Sequence, residues 1–261
     1  MLNIDLTGRR ALVTGSSSGL GEAMAHALAQ AGAQVAVHDR IKSEACENVA
    51  VALRNAGSQA QAFSADISRH EEVAQLFSDI DAWCGGVDIL INNAGMDGVR
   101  DECVDSNPAD WEKTIAVNLL GPYYCSRLAL KNMLQQRRGV ILNITSVHEY
   151  IPWEGYSAYT SAKAGLSMFT KTLAQEVADK GVRVLALAPG AIRTPINASV
   201  WQSAKGLADL DEKIAMGRMG EPEEIGRLAA FLVSDLASYI TGTSISADGG
   251  MLIYPDFRHG G

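Results

Sequence analysis

The chain has no apolar run approaching the ~18 residues a membrane-crossing helix needs. Its opening, MLNIDLTGRR, lacks the apolar stretch of a secretion signal. Basic residues are in deficit: 22 Lys and Arg stand against 30 Asp and Glu, a net charge of −8. A surface built for nucleic acid or anionic lipid needs clustered Lys and Arg, so both partners are excluded as expectations. Cysteine is sparse and scattered at Cys46, Cys84, Cys103 and Cys125, with no CxxC pair. That spacing offers neither a disulfide framework nor a zinc site, and no other metal-ligand cluster is expected; reduced thiols in the cytoplasm are the simpler reading. Proline numbers 7, and no Pro/Gly/Ser-rich linker interrupts the 261 residues. The expectation is one domain over residues 1–261, since α/β chains of this size often fold as one.

What is present is alternation. Short apolar runs at Arg10–Thr14, Gln34–His38, Gln59–Phe63, Val87–Ile91, Gly139–Thr145, Val182–Ala188 and Ser244–Ala247 read as seven strands. Between them lie patterns with apolar residues three and four apart. These are Leu20–Ala31, Ser43–Asn55, Arg69–Trp83, Pro108–Leu134, Ser157–Lys180, Thr194–Ala215 and Pro222–Ser234. Repeated strand–helix units predict a parallel sheet with helices on both faces, and right-handed crossovers make it doubly wound. Residues 194–217 are irregular and rich in small and charged side chains, as a substrate lid would be.

The first strand runs into Thr14, then Gly15, Ser16, Ser17, Ser18, Gly19, Leu20 and Gly21. Glycines allow a tight turn and leave no Cβ in a ligand's way, while the helix that follows aims free N–H groups at a pyrophosphate. Gly15, Ser17, Ser18, Gly19, Leu20 and Gly21 are therefore candidate dinucleotide contacts, in the strand–turn–helix context the motif requires. Asp39 ends the second strand 18 residues after Gly21, close to the ~20 expected of the acid that holds the adenine ribose hydroxyls. A carboxylate there repels a 2′-phosphate. Arg40 beside it can stack on adenine, pair with that phosphate, or simply be a solvated charge. The balance favours NAD as cofactor and leaves NADP open.

The fifth strand ends at Ser146, and 13 residues later comes Tyr159, followed after four by Lys163. Spacing of four puts the last two on one helix face. An ammonium beside a phenol favours the phenolate, so Lys163 is expected to lower the pKa of Tyr159 toward operating pH. Ser146 stands at the carboxyl edge of the sheet, where ligands bind in this architecture.

Taken in order, Thr14–Gly21, Asn92-Asn93-Ala94-Gly95, Asn118, Ser146, Tyr159-xxx-Lys163 and Pro189-Gly190 resemble the motif set of the short-chain dehydrogenases/reductases over essentially the whole length. The resemblance implies one Rossmann domain with a seven-stranded sheet, usually a homotetramer. It implies that Tyr159 is the acid/base, that Lys163 also binds the nicotinamide ribose, that Ser146 orients the reacting oxygen, and that Asn118 supports a proton relay. By the same resemblance Asp66 and Ile67 flank adenine, Asn93, Ala94 and Gly95 line the cofactor cleft, and Pro189, Gly190, Ile192 and Thr194 hold the carboxamide.

Within that family, several segments are similar to the bacterial glucose 1-dehydrogenases. They are Ser146–Glu149 with Ile151-Pro152-Trp153, Pro189–Asn197, Gly220–Ile225, and Ala247–Met251 with Tyr254, Pro255 and Phe257. This likeness implies oxidation of an aldose at C1 to a lactone. Asp97, Tyr150 and Glu154 depart from that pattern, as does His38-Asp39 in place of a neutral pair. Another polyol, steroid or ketone is the alternative substrate, and a non-catalytic dinucleotide sensor is a remote one. A sugar site needs carboxylates, amides, imidazoles and an aromatic face, which Asp97, Ser146, His148, Glu149, Trp153 and Asn197 can supply. Each has a plainer alternative: a loop prop or subunit contact for His148 and Glu149, packing for Trp153, a helix cap for Asn197, a loop anchor for Asp97. The C-terminal segment 251–261, with its aromatic tail from Tyr254, is expected at a subunit interface.

Overall fold

The computed structural model describes residues 4–253, so the aromatic tail from Tyr254 lies outside the described residues. Seven strands form one wholly parallel sheet: β1 (Arg10–Val13), β2 (Gln34–Asp39), β3 (Ala60–Ser64), β4 (Ile89–Asn92), β5 (Gly139–Ile144), β6 (Val182–Pro189) and β7 (Ser244–Ala247). Their order is β3-β2-β1-β4-β5-β6-β7. The chain winds outward from β1 in one direction, then crosses back to β4 and winds in the other. The ends of β1 and β4 therefore open a crevice at the carboxyl edge, because the connections leave them on opposite faces. Every residue of β4 and β5 is buried, in keeping with near-continuous apolar runs.

Helices cover both faces: α1 (Gly19–Gln30), α2 (Glu44–Asn55), α3 (His70–Cys84), α4 (Pro108–Ile115), α5 (Gly121–Gln136), α6 (Ser157–Val177), α7 (Ala198–Trp201), α8 (Ala204–Asp211) and α9 (Pro222–Val233). Ser43 caps α2 by accepting from the Cys46 N–H at 3.2 Å. α3 stops at Gly85, which adopts φ +81°. Two apolar clusters form the core. One joins α1, α2 and α9 to a sheet face through Leu28, Val37, Ile91 and Leu232. The other joins α3, α5 and α6 to the opposite face through Leu12, Ile80, Ile141 and Leu173.

Two expected helices are divided. The Pro108–Leu134 pattern splits into α4, a π-helical turn at Ala116–Leu120, and α5. The turn places the fully buried Asn118 beside the crevice, and such bulges accompany functional sites. The Thr194–Ala215 pattern is a short 3₁₀ turn at Pro195–Asn197 followed by α7 and α8. Among the described residues no helix is long and apolar enough to cross a membrane.

Candidate active site

The carboxyl ends of six strands converge on one cavity of about 720 Å³, within the usual range for ligand sites. At its nucleotide end the glycine turn is tied to the loop after β4. Gly15 adopts φ +63°. A Cβ on Gly21 would stand 2.1 Å from the Gly15 carbonyl oxygen, so the turn closes only without one. Asn93 Nδ2 donates to the carbonyls of Thr14 at 2.9 Å and Gly15 at 3.0 Å. Thr14 Oγ1 in turn accepts from the N–H groups of Asn93 and Ala94, both at 3.0 Å. The side chain of Ser18, at the N-cap of α1, makes no capping bond. The first-turn N–H groups therefore lack a side-chain acceptor, which is the donor set a pyrophosphate needs.

Asp39 and Asp66 flank the same end. Burial opposes ionisation of Asp39, but hydrogen bonds from Ser43, Ser17 and the Arg40 N–H outweigh it and hold its pKa below the ordinary carboxylate value. Burial likewise opposes ionisation of Asp66, and the Ser68 hydroxyl and N–H outweigh it. Ile67, Gly95, Pro189, Gly190, Ile192 and Thr194 line the cavity with them, as does the exposed Arg40. The residues fit a nicotinamide dinucleotide lying across the switch point.

At the other end, α6 brings Tyr159 and Lys163 to the strand ends. Lys163 Nζ donates to the Ile144 carbonyl at 2.8 Å and lies 5.5 Å from the centre of the Tyr159 ring. Ser146 Oγ accepts from the His148 N–H at 3.2 Å, and its hydroxyl also reaches the Tyr159 oxygen. The expected lowering of the Tyr159 pKa does not appear. Burial pushes the Tyr159 phenol up to about 12, with the Asp97 carboxylate adding to the rise against the Ser146 hydrogen bond. Burial pushes Lys163 down to about 8, against Asp97 and Glu149. In each group desolvation is the largest cause.

Asn118 lines the cavity, with its amide fully engaged on backbone. Its Nδ2 donates to the carbonyls of Met96 at 2.8 Å and Thr114 at 2.9 Å, and its Oδ1 accepts from the Met96 N–H at 3.2 Å. The side chain fixes the loop after β4 rather than reaching toward Tyr159.

Among the candidate substrate residues the structure makes two corrections. Glu149 is not in the cavity. Its Oε1 accepts from Ser167 Oγ on α6 at 2.9 Å and its Oε2 is buried without a partner, because the 3₁₀ turn after Ser146 directs it under the helix. Asn197 lines the wall, but its amide caps the turn: Oδ1 accepts from the Thr194 N–H at 3.0 Å and Nδ2 donates to the Ile192 carbonyl at 2.9 Å. Asp97, His148 and Trp153 do face the cavity. Burial raises the pKa of Asp97, opposed by the Lys163 and His148 charges. His148 stacks on Trp153 with ring centres 4.5 Å apart, and Trp153 stacks on Tyr156 at 3.9 Å. His148 Nδ1 meets the Ile151 carbonyl at 3.2 Å, so that nitrogen carries the proton and Nε2 is a bare acceptor. Burial lowers its pKa, against the Ile151 carbonyl and the Asp97 carboxylate.

Met251 and His38 are among the contributors that the sequence reading missed, with Val200 and Leu210. Met251 closes the wall, its sulfur accepting from the Ala191 N–H at 3.3 Å; only the two glycines before it hint at a chain turning back to the site. His38 borders the glycine turn from β2, and its signal is a polar residue at the buried end of an apolar strand.

A family model described as enoyl-(acyl carrier protein) reductase matches residues 15–252. The 3beta-hydroxysteroid dehydrogenase 1 of Eggerthella lenta is 44% identical over 257 residues, covering 98% of each chain. The chain belongs to the short-chain dehydrogenases/reductases. Another relative, glucose 1-dehydrogenase 2 of Bacillus subtilis, is 37% identical over 252 residues, 96% of this chain and 97% of the relative. A gluconate 5-dehydrogenase from Burkholderia cenocepacia, solved with NADP and tartrate, superposes with a TM-score of 0.90 at 31% identity, covering 96% of this chain and 97% of that one. This short-chain dehydrogenase/reductase is thus an NAD(P)-dependent oxidoreductase acting on a small molecule.

Proposed function

We propose that the enzyme interconverts a secondary hydroxyl and a ketone on a bulky, mostly apolar alicyclic body of the hydroxysteroid class, with NAD as the preferred cofactor. The carrying observation is the make-up of the substrate wall. Ile196, Val200, Leu210 and Met251 line the cavity together with Trp153, while Glu149 is absent from the lining and the Asn197 amide is spent on backbone groups. A sugar offers many hydroxyls and little apolar surface, and this wall offers it few partners. The 44% identity to a hydroxysteroid dehydrogenase supports the same reading. For NAD the support is Asp39, whose ionised carboxylate faces a 2′-hydroxyl well and a 2′-phosphate badly.

Gly15 through Gly21, Asp39, Asp66 and Lys163 would hold the dinucleotide, which supplies the hydride acceptor or donor when bound. The chain's own groups manage the proton. A neutral Tyr159 phenol gives its proton to a carbonyl oxygen during reduction, and burial keeps it in that form at neutral pH. Oxidation needs the phenolate, for which the Lys163 ammonium is the neighbouring cation. Ser146 donates toward the oxygen that Tyr159 serves.

The glucose 1-dehydrogenase reading is the second one, favoured by Asp97 and His148 Nε2, two acceptors that a polyol's hydroxyls would satisfy. Assembly beyond the monomer, as a tetramer, is supported by exposed apolar side chains on neighbouring helices, Tyr123 on α5 and Met168 on α6. A cytoplasmic setting fits the scattered free thiols. The deciding experiment follows absorbance at 340 nm with hydroxysteroids, aldoses, polyols and simple secondary alcohols, each with NAD and with NADP. Turnover of hydroxysteroids with NAD is the expected result. Turnover of aldoses alone would establish the second reading instead.

A further inference from the structure

His38 is fully buried at the end of β2, between two walls of the nucleotide end of the cavity. Its Nδ1 accepts from the Gly15 N–H at 3.2 Å. Its Nε2 lies 3.0 Å from the Ala65 carbonyl at the end of β3. A carbonyl only accepts and an N–H only donates, so the two partners fix one neutral tautomer, protonated on Nε2. The backbone on either side is tied to the same turn. The Ser16 N–H donates to the His38 carbonyl at 2.8 Å, and the His38 N–H donates to Ser16 Oγ at 3.0 Å. Ser16 Oγ donates onward to the Val13 carbonyl at 2.7 Å.

We infer that His38 is a positioning residue for the dinucleotide: its imidazole clamps the glycine turn after β1 to the end of β3, fixing the distance between the pyrophosphate cradle and the adenine wall. This rests on the NAD(P) reading of the cavity. The clamp joins elements that the sheet itself does not pair, since β1 and β3 lie on either side of β2. Gly15 sits in a left-handed conformation, and its N–H is spent on the His38 ring. An acceptor at Nδ1 therefore satisfies a part-buried donor that would otherwise lack a protein partner as the turn forms. Ala65 immediately precedes Asp66 and Ile67, so the second bond sets the height of the adenine wall.

Protonation would abolish the clamp, because Nδ1–H would then face the Gly15 N–H. Burial opposes that and lowers the His38 pKa to about 4, although the Ala65 carbonyl and the nearby Asp39 and Asp66 carboxylates pull the other way. The clamp is thus intact throughout the neutral range.

The test is NADH and NADPH binding, read by the fluorescence of the reduced nicotinamide, with melting temperature measured in parallel. His38→Leu fills the space but removes both bonds. His38→Asn carries an oxygen near the position of Nδ1 and can accept from Gly15, while His38→Gln can reach Ala65 alone. In His38→Leu we expect the Kd to rise about tenfold, the combined effect of two modest hydrogen bonds lost together, with kcat at saturating cofactor within twofold of the parent. His38→Asn should recover most of the affinity and His38→Gln less. Parent-like binding in His38→Leu, or equal weakening in all three variants, would overturn the clamp. If His38→Leu does not fold, the order of the Asn and Gln variants decides. Failure of the parent itself to bind either dinucleotide would overturn the NAD(P) reading first, and the clamp with it.

Discussion

Lys163 and Tyr159 show what it costs to build acid–base chemistry into a dry pocket. Below pH 8 Lys163 is protonated in both folded and unfolded chains, and the folded state bears the burial of that charge. Between about 8 and its ordinary 10.5 the unfolded chain keeps the proton and the fold releases it, so this group's contribution to stability rises with pH there. Lys163→Met should therefore gain ~1–2 kcal/mol at pH 7, after discounting the lost bond to the Ile144 carbonyl, while turnover collapses. Urea denaturation at pH 7 and at pH 10 checks it; the gain must shrink at the higher pH. Tyr159→Phe should lower kcat by ~10²–10⁴ and leave NADH binding near the parent value. Retention of more than a tenth of the rate would remove Tyr159 from the proton step.

At the scale of elements, the nucleotide turn depends on absent atoms. Gly21→Ala would press a Cβ against the Gly15 carbonyl and against Asn93 Nδ2, which would lie 2.6 Å away. The expected result is a loss of ~1–3 kcal/mol and of dinucleotide binding together, seen in a melting curve and a fluorescence titration. This turn was legible in the sequence because glycine spacing writes the motif directly, and so was the α6 pair, because a spacing of four is a helix face. The seven strands were legible as short apolar runs, with ends displaced by a residue or two. The π turn around Asn118 was not, since a bulge inside a helix leaves the apolar period nearly unchanged. Nor was the fate of Glu149 and Asn197. Composition showed that they were polar and near the site, but not that Ser167 and Thr194 would claim them first. Met251 was missed for a related reason, since its position depends on a return of the chain that no local pattern announces.

The molecule as a whole responds to acid through the same buried groups. An unfolded histidine takes its proton near pH 6.5, whereas folded His38 takes it near 4. Between those values only the unfolded chain binds the proton, so stability falls as pH drops from 6.5 toward 4, by on the order of 3 kcal/mol for this one group. Denaturation midpoints at pH 7 and pH 4.5 should show the fall, and His38→Asn should show a shallower one. The sheet also divides the labour of its two rims. All the chemistry hangs from the strand exits, while the loops entering the strands sit at the far rim. One of these is the turn at Gly57, where an added Cβ would meet nothing within 4 Å. That rim is a natural handle. A peptide grafted between Gly57 and Ser58, or a surface attachment made there, would leave the cleft facing outward, so the enzyme could be displayed on a bead or fused to a second enzyme without crowding its mouth.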